Sequence, residues 1–193
     1  LTQTTEVYPA PIANFTYSNV CNNQATPFIN TSSIPTGTMN YAWDFGDGQT
    51  DIAEDPQYVY VNNGNYDVQL IAVSDKSCTD TILKPITVHA LPETNFTATV
   101  ACDGAPTVFS NLTTIDAGTV NSYTWDFDDG NNSIVIDPVH QYLNPGSYFV
   151  TLTATSDQLC VKDTTIVANV SDFPVVNFVV ENKVLQYIMT CFF

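Results

Sequence analysis

The sequence predicts an all-β protein made of two antiparallel β-sandwiches in tandem, with about seven strands each. Two observations lead to this prediction. One hexapeptide occurs twice at a fixed interval, and short apolar alternations separated by Gly, Pro, Asn and Asp turns fill most of the 193-residue chain. No segment carries a 3.6-residue period long enough for a helix. A chain of this length with 44% hydrophobic residues can bury two small cores.

The hexapeptide W-D-F-G-D-G at residues 43–48 returns as W-D-F-D-D-G at residues 125–130, an interval of 82 residues. On a strand, Trp43 and Phe45 point to one face and Asp44 points to the other, so both rings are predicted to be buried. The closing Asp-Gly tolerates the positive φ of a tight hairpin. The sequence therefore predicts one small domain written twice.

The same interval relates the strand that follows each hairpin. Tyr60, Gly64 and Tyr66, followed by alternating Val, Leu and Ala, reappear with the same spacing in residues 142–154. This combination resembles the polycystic kidney disease (PKD) family of immunoglobulin-like domains. The resemblance covers nearly all of both copies and implies tandem immunoglobulin-like (PKD-type) antiparallel β-sandwiches. The Gly64-x-Tyr66 pair also resembles the tyrosine corner of immunoglobulin domains.

The second copy departs from the PKD pattern at Asp128, where the first copy has Gly46. Asp tolerates the left-handed backbone better than most residues, so we expect the turn to survive. His140 stands where the PKD pattern has a structural histidine.

The repeat divides the chain into four segments. Residues 11–90 and 91–172 are predicted to be PKD-like domains 1 and 2. Residues 1–10 align with the last strand of a preceding or partner domain, and residues 173–193 with the first strands of a third domain, incomplete or completed by a partner. Two explanations of these ends stay open: a longer array, or strand donation between chains that forms a head-to-tail polymer.

Charge restricts the partners of the protein. Twenty acidic residues stand against four lysines and no arginine, which gives a formal net charge of −16. Nucleic acid is excluded as a partner because no basic patch is available to neutralise phosphates. An anionic membrane surface is disfavoured for the same reason, and membrane insertion is not expected because no stretch approaches ~20 apolar residues.

The cysteines follow the repeat. Cys21 and Cys102 are 81 residues apart, and Cys78 and Cys160 are 82 apart, so each copy holds one early and one late cysteine. This arrangement predicts Cys21–Cys78 and Cys102–Cys160 disulfides, and with them an extracellular or cell-surface location. The alternative is two pairs of reduced, partly buried thiols. Cys191 has no partner in the repeat.

Calcium is the only cofactor that the sequence suggests. Asp126, Asp128, Asp129 and Asn131 concentrate oxygen ligands on the second hairpin, as hard cations require, although the spacing is not that of an EF-hand. The alternative is that the hairpin aspartates accept hydrogen bonds from loop amides.

Glycans are further expected partners. Six Asn-x-Ser/Thr sequons are present, and two Asp-Thr sequences resemble short sites of O-linked glycosylation in some bacteria. The candidate residues are Asn14, Asn30, Asn95, Asn111, Asn131 and Asn169 for N-linked glycans, and Thr81 and Thr164 for O-linked glycans.

The sequence does not predict an enzyme, because no nucleophile with a base, no phosphate loop and no H-E-x-x-H is found. The leading hypothesis is a non-catalytic extracellular shaft of a surface adhesin or fibre, whose partners are neighbouring PKD-like domains or copies of itself. The alternative is a carbohydrate-binding or substrate-presenting accessory module of a secreted hydrolase. That alternative needs a row of exposed aromatic side chains, whereas Trp43 and Trp125 are predicted to be buried.

Overall fold

The structure, a computed structural model, describes residues 7–18, 20–172, 175–180 and 183–188. The chain divides into two units, Leu1–Leu91 and Pro92–Phe193. All regular structure in these described ranges is β-strand, which confirms the predicted all-β class. The described residues contain no helix that is long and apolar enough to cross a membrane.

Unit 1 is an antiparallel sandwich. Its strands are β1 (Phe15–Tyr17), β2 (Ala25–Asn30), β3 (Met39–Asp44), β4 (Thr50–Asp51), β5 (Gln57–Val59), β6 (Gly64–Ser74) and β7 (Thr79–Val88). One sheet has the order β1-β2-β5 and the other β4-β3-β6-β7. Along β6, Val68, Leu70 and Ala72 are buried and alternate with more exposed positions, as a strand with one face on a core requires.

Unit 2 repeats this plan. Its strands are β8 (Phe96–Ala98), β9 (Ala101–Cys102), β10 (Thr107–Asn111), β11 (Val120–Asp126), β12 (Asn132–Ser133), β13 (Val139–His140), β14 (Gly146–Ser156) and β15 (Val161–Ser171). The sheet orders are β13-β10-β8 and β12-β11-β14-β15-β9. The additional strand β9 pairs in parallel with β15, where unit 1 has a single parallel bridge between Cys21 and His89.

Each unit has a core of aromatic rings and β-branched side chains. Trp43 and Trp125 are 1% and 0% exposed, and Phe45 and Phe127 are 1% and 2% exposed. Each Trp ring contacts two Phe rings from the opposite sheet at tilted or edge-on angles, an arrangement that adds to the hydrophobic stabilisation. The predicted burial of the hexapeptide rings is therefore confirmed.

The two terminal segments are described only in part. Of the strand expected at residues 1–10, residues 1–6 lie outside the described residues, and residues 7–10 are not in a strand. In the last segment, β16 (Val175–Val180) pairs antiparallel with β17 (Lys183–Ile188). Cys191 lies outside the described residues.

Candidate functional site

The hexapeptide hairpins are the strongest candidate site because they are the most nearly repeated stretch of the chain. In unit 1, the Phe45 amide donates to the Gln49 carbonyl and closes the hairpin at 3.0 Å. The Trp43 indole N–H donates to the Ala53 carbonyl at 2.9 Å, so the buried ring keeps a polar partner. Trp125 makes the equivalent bond to Val135, also at 2.9 Å.

The aspartates of the first hairpin accept hydrogen bonds from its own backbone. Asp44 Oδ1 accepts from the Gly46 amide at 2.9 Å, and Asp47 Oδ1 accepts from the Gln49 amide at 3.2 Å. Aspartate commonly holds a turn in this way. Gly46 has a φ of 80°, and a Cβ placed there would lie only 2.7 Å from the Asp67 carbonyl oxygen. Glycine therefore fits this position well, because it tolerates the left-handed backbone and has no Cβ to meet the Asp67 carbonyl.

The second hairpin uses the four residues that the sequence suggested for calcium. Asp126 Oδ1 accepts from the Asp128 amide, and Asp129 Oδ1 from the Asn131 amide, both at 3.0 Å. Asp128 adopts the expected left-handed backbone with a φ of 61°, and its Oδ2 accepts from the Phe149 amide at 2.8 Å. These bonds match the alternative in which the aspartates accept from loop amides.

Calcium binding stays a prediction. In residues 7–18 and 20–172, no group of three or more His, Cys, Asp or Glu side chains is arranged to hold a metal ion. The carboxylates of the second hairpin are instead directed to separate amides and to one histidine.

A second polar contact ties each hairpin to the strand across the sandwich. In unit 1, the Tyr58 hydroxyl donates to Asp47 Oδ2 at 2.6 Å, and the Tyr58 ring stacks on Phe45 with ring centroids 3.9 Å apart. In unit 2, His140 Nε2 lies 2.7 Å from Asp129 Oδ2, and its ring stacks on Phe127 at 4.2 Å. We call each Asp–Tyr or Asp–His contact the latch of its unit.

The latches differ in their ionisation. Burial, the hydrogen bond to Asp47 and the charge of Asp47 together raise the pKa of Tyr58 to about 12. Burial alone would raise the pKa of Asp129, but the hydrogen bonds from His140 and Asn131 outweigh it and lower that pKa.

The sequence did not reveal these contacts, since each joins residues eleven positions apart. The one available signal is that Tyr58 and His140 occupy equivalent places in the repeat.

Both tyrosine corners are present. The Tyr66 hydroxyl donates to the Asn62 carbonyl at 3.0 Å, and the Tyr148 hydroxyl donates to the Asn144 carbonyl at 2.8 Å. These bonds fix the loop that enters the long strand of each unit. The resemblance to an immunoglobulin corner is therefore confirmed at the level of side-chain contacts.

The predicted Cys21–Cys78 disulfide is wrong. Cys78 is a free thiol, whereas Cys21 is disulfide-bonded. Cys21 bridges to His89 after the end of β7, and Cys78 precedes the start of β7. Eleven extended residues separate these ends by roughly 36 Å. A disulfide requires Cα atoms about 4 to 7 Å apart.

The same geometry overturns the predicted Cys102–Cys160 pair. Both residues are disulfide-bonded. However, Cys102 pairs with Ser171 at the end of β15, while Cys160 directly precedes the start of β15. The two cysteines are again roughly 36 Å apart, so neither can be the partner of the other. Repeat spacing gave the correct equivalence of the cysteines but the wrong pairs.

The sequons differ in accessibility. Asn14, Asn95, Asn131 and Asn169 are exposed, and Asn30 is half-buried. Asn111 is the least suitable, because its Nδ2 atom, where an N-linked glycan would attach, is buried and its Oδ1 accepts from the Thr113 amide at 2.9 Å.

The two threonines proposed for O-linked glycans lie on opposite faces of their strands. Thr81 is exposed. Thr164 is half-buried, and its hydroxyl donates to the Thr94 carbonyl at 2.9 Å. The Asp-Thr sequence is shifted by one residue between the copies, and a shift of one residue reverses the face of a strand. Thr81 therefore fits modification better than Thr164.

Comparison with known families decides the classification. The PKD domain family matches residues 8–88 and again residues 89–170, which together span most of the chain. The chain belongs to the PKD domain family.

The chain is similar to PKD domains of two Vibrio proteins. A segment of 68 residues is 41% identical to pre-pro-metalloprotease PrtV of Vibrio cholerae serotype O1, covering 33% of this chain and 7% of that protein. Among solved structures, the PKD1 domain of Vibrio cholerae metalloprotease PrtV is 36% identical over 41% of this chain and 96% of its own, with a TM-score of 0.39. The PKD1 domain of Vibrio anguillarum Epp is 34% identical over 41% and 93%, also with a TM-score of 0.39.

PKD domains are generally non-catalytic modules. Family membership indicates an extracellular accessory or structural module. The chain spans only about 7% of the length of the curated protease it matches, so membership does not by itself assign an activity.

Proposed function

We propose that this chain is a non-catalytic part of an extracellular protein in which PKD domains in series form the shaft of a surface adhesin or fibre. The hairpins carry this proposal. Each hairpin aspartate accepts hydrogen bonds from neighbouring amides or from the latch side chain. Groups used in this way hold the domain together and are not arranged for chemistry on a substrate.

Charge and redox state support the extracellular setting. The net charge of −16 favours solubility and disfavours close association with polyanions. Three cysteines, Cys21, Cys102 and Cys160, are disulfide-bonded, as is common in oxidising compartments.

Immunogold electron microscopy tests the shaft. Antibodies raised against the whole chain are applied to intact source cells, and antibodies absorbed with the purified chain serve as the control. We expect label along projections at the cell surface. The proposal is contradicted if label is absent from the surface and the protein is recovered from the medium on one polypeptide with a hydrolase.

Head-to-tail polymerisation by strand donation is one form of this proposal. It is supported by the sequence Asn177-Phe178, which resembles the opening of a further copy. The test is the size of the native polypeptide in denaturant with reductant. A band near 21.1 kDa from native assemblies many times larger supports polymerisation. A band far above that mass indicates a longer array and removes the need for donation.

The second candidate is an accessory module of a secreted hydrolase. The 41% identity to a segment of metalloprotease PrtV favours it. Unit 2 also exposes an apolar pair on its outer face, because Phe149 is 61% exposed and pairs across the sheet with Val167, which is 43% exposed. The equivalent of Phe149 in unit 1 is Asp67.

Sedimentation with insoluble cellulose, chitin and protein tests this second candidate. Phe149→Asp is the matched variant, since it gives unit 2 the residue that unit 1 already has. Retention of the chain on one of these materials, reduced at least several-fold by Phe149→Asp, supports a binding module. Equal recovery of both proteins in the supernatant contradicts it.

A further inference from the structure

Cys78 is a free thiol in a turn whose counterpart in unit 2 holds a disulfide-bonded cysteine. In unit 1, the Ser74 amide donates to the Cys78 carbonyl at 2.8 Å, and the Cys78 amide donates to Ser74 Oγ at 3.0 Å. In unit 2, Ser156 and Cys160 make the same two bonds at 2.9 and 3.0 Å. The two cysteines are therefore held in one conformation.

The residue before each cysteine shows how closely the turns agree. Ser77 has a φ of 64° and Leu159 a φ of 63°. Left-handed backbone is uncommon at serine and leucine, so both turns accept the same local strain. The sulfur attached to this turn is bonded at Cys160 and free at Cys78. The difference thus lies in the availability of a partner and not in the turn.

No cysteine of unit 1 can be that partner. Cys21 is roughly 36 Å away along β7 and is already disulfide-bonded. A sulfur that reaches Cys78 must therefore come from outside unit 1.

The position of Cys78 in its unit indicates where that sulfur comes from. The Ala13 amide donates to Asp80 Oδ2 at 2.8 Å, so Cys78 lies at the end where the chain enters the unit. Cys21 bridges to His89, at the end where the chain leaves. When PKD domains follow one another, the leaving end of one is joined directly to the entering end of the next. In such an array we expect an early cysteine of the Cys21 type to lie near a late cysteine of the Cys78 type.

We propose that Cys78 is an attachment point for a disulfide to the early cysteine of another PKD domain. That domain either precedes unit 1 in a longer chain or belongs to a second copy of this chain. The proposal rests on the proposed array of PKD domains and adds covalent links between its members. Such links would keep consecutive domains joined under load.

The bond forms by oxidation of two thiols. Cys78 and the partner cysteine lose two protons and two electrons as the S–S bond forms, and a disulfide oxidant of the secretory route is reduced to its dithiol. The partner domain contributes only its early cysteine to this bond. The bond therefore does not require a second disulfide on the partner domain.

Peptide mapping of the native protein tests the proposal. Free thiols are blocked with N-ethylmaleimide in denaturant before digestion without reductant by a protease that cuts before aspartate. Digestion releases residues 75–79 with Cys78 and residues 157–162 with Cys160. We expect both peptides to be missing in free or blocked form and to be recovered after reduction. The peptide with Cys160 is the internal control for a bonded sulfur.

The peptide that is disulfide-bonded to residues 75–79 identifies the source of the second cysteine. A sequence from a PKD domain elsewhere in one longer polypeptide supports the first source, and a peptide from a second copy of this chain, with reducible multimers, supports the other. Loss of those multimers in Cys78→Ser confirms the site. The proposal is overturned if Cys78 is recovered fully blocked by maleimide, or is joined to a small thiol or to Cys21 of its own domain.

The outcome separates this proposal from the proposed function. A free Cys78 in a native array of PKD domains overturns the covalent link and leaves the shaft intact. A bonded Cys78 in a polypeptide that also carries a hydrolase overturns the shaft and leaves the link intact.

Discussion

The latches of the two units have the same geometry and different chemistry. Unit 1 joins Asp47 to the hydroxyl of Tyr58 at 2.6 Å, and unit 2 joins Asp129 to the ring nitrogen of His140 at 2.7 Å. In both units the latch ring stacks on the hairpin Phe and meets a buried tyrosine edge-on. The fold therefore requires a flat ring with a polar atom at this position, and it accepts either ring.

The difference appears in the response to pH. The pKa of Asp129 is lowered in the folded protein, so its contribution to stability is present above the unfolded value of about 3.9 and is lost as pH falls through the folded pKa. The pKa of Tyr58 is raised to about 12, so its contribution is present below pH 10 and is lost as pH rises toward 12. Acid weakens the latch of unit 2, and alkali weakens that of unit 1.

The largest expected loss of stability comes from removing the buried Trp ring, and it should be the same in both units. Trp43→Ala and Trp125→Ala each remove a fully buried ring and its indole hydrogen bond. We expect each variant to lose about 3–5 kcal/mol of the free energy of unfolding of its own unit. Hydrogen exchange followed peptide by peptide measures this loss separately for each unit. A loss that differs greatly between the units would show that their cores are not equivalent.

The next largest loss of stability comes from exchanging Gly and Asp in the hairpins, and it should differ sharply between the units. Gly46→Asp places a Cβ 2.7 Å from the Asp67 carbonyl oxygen, so we expect a loss of about 1–3 kcal/mol. Asp128→Gly removes the hydrogen bond to the Phe149 amide but also relieves the left-handed aspartate, so we expect a loss under about 1 kcal/mol. Urea unfolding of both variants measures the difference. Equal losses would contradict the close packing found at Gly46.

Exchange of the latch residues should exchange the pH responses. His140→Tyr should reduce the loss of stability of unit 2 as pH falls below about 4, an effect of about 1 kcal/mol. Tyr58→His should give unit 1 that acid response and reduce its response above pH 10, where Tyr60, whose pKa is also raised, still contributes. Unit-resolved hydrogen exchange, corrected for the intrinsic rate at each pH, provides the measurement. An unchanged acid response in His140→Tyr would show that other carboxylates dominate it.

The smallest effect concerns a buried tyrosine of each unit. The Tyr60 hydroxyl donates to the Phe45 carbonyl at 2.9 Å, so Tyr60→Phe should cost about 1 kcal/mol. The Tyr142 hydroxyl is buried and has no hydrogen-bond partner among the described residues, so Tyr142→Phe should change stability by less than about 0.5 kcal/mol. Thermal unfolding distinguishes these values. A cost of 1 kcal/mol for Tyr142→Phe would reveal a partner such as an ordered water.

Most of the fold could be predicted from the sequence because one hexapeptide and one long alternation recur at a fixed interval. The buried Trp43 and Trp125, the left-handed Asp128 and the tyrosine corner at Tyr66 all follow from local rules of strands and turns. These rules concern residues close together in the chain.

The predicted disulfide pairs failed, and the sequence did not reveal several contacts that depend on how the strands pair. The spacing of Cys21 and Cys78 showed that they recur, but it did not show that they lie at opposite ends of the same strand. The latch between Asp129 and His140 and the inward side of Thr164 depend on pairing between strands. A repeat identifies equivalent positions, whereas the register of the sheets decides which positions meet.

The most direct test of the central claim is mechanical. The whole chain is tethered by its two ends in reducing buffer and stretched in a single-molecule force experiment. We predict two discrete unfolding events, each releasing roughly 25 nm, because each unit of about 80 residues resists force as one cooperative domain. Smooth extension at low force, without discrete events, would contradict the assignment of these PKD domains to a load-bearing shaft.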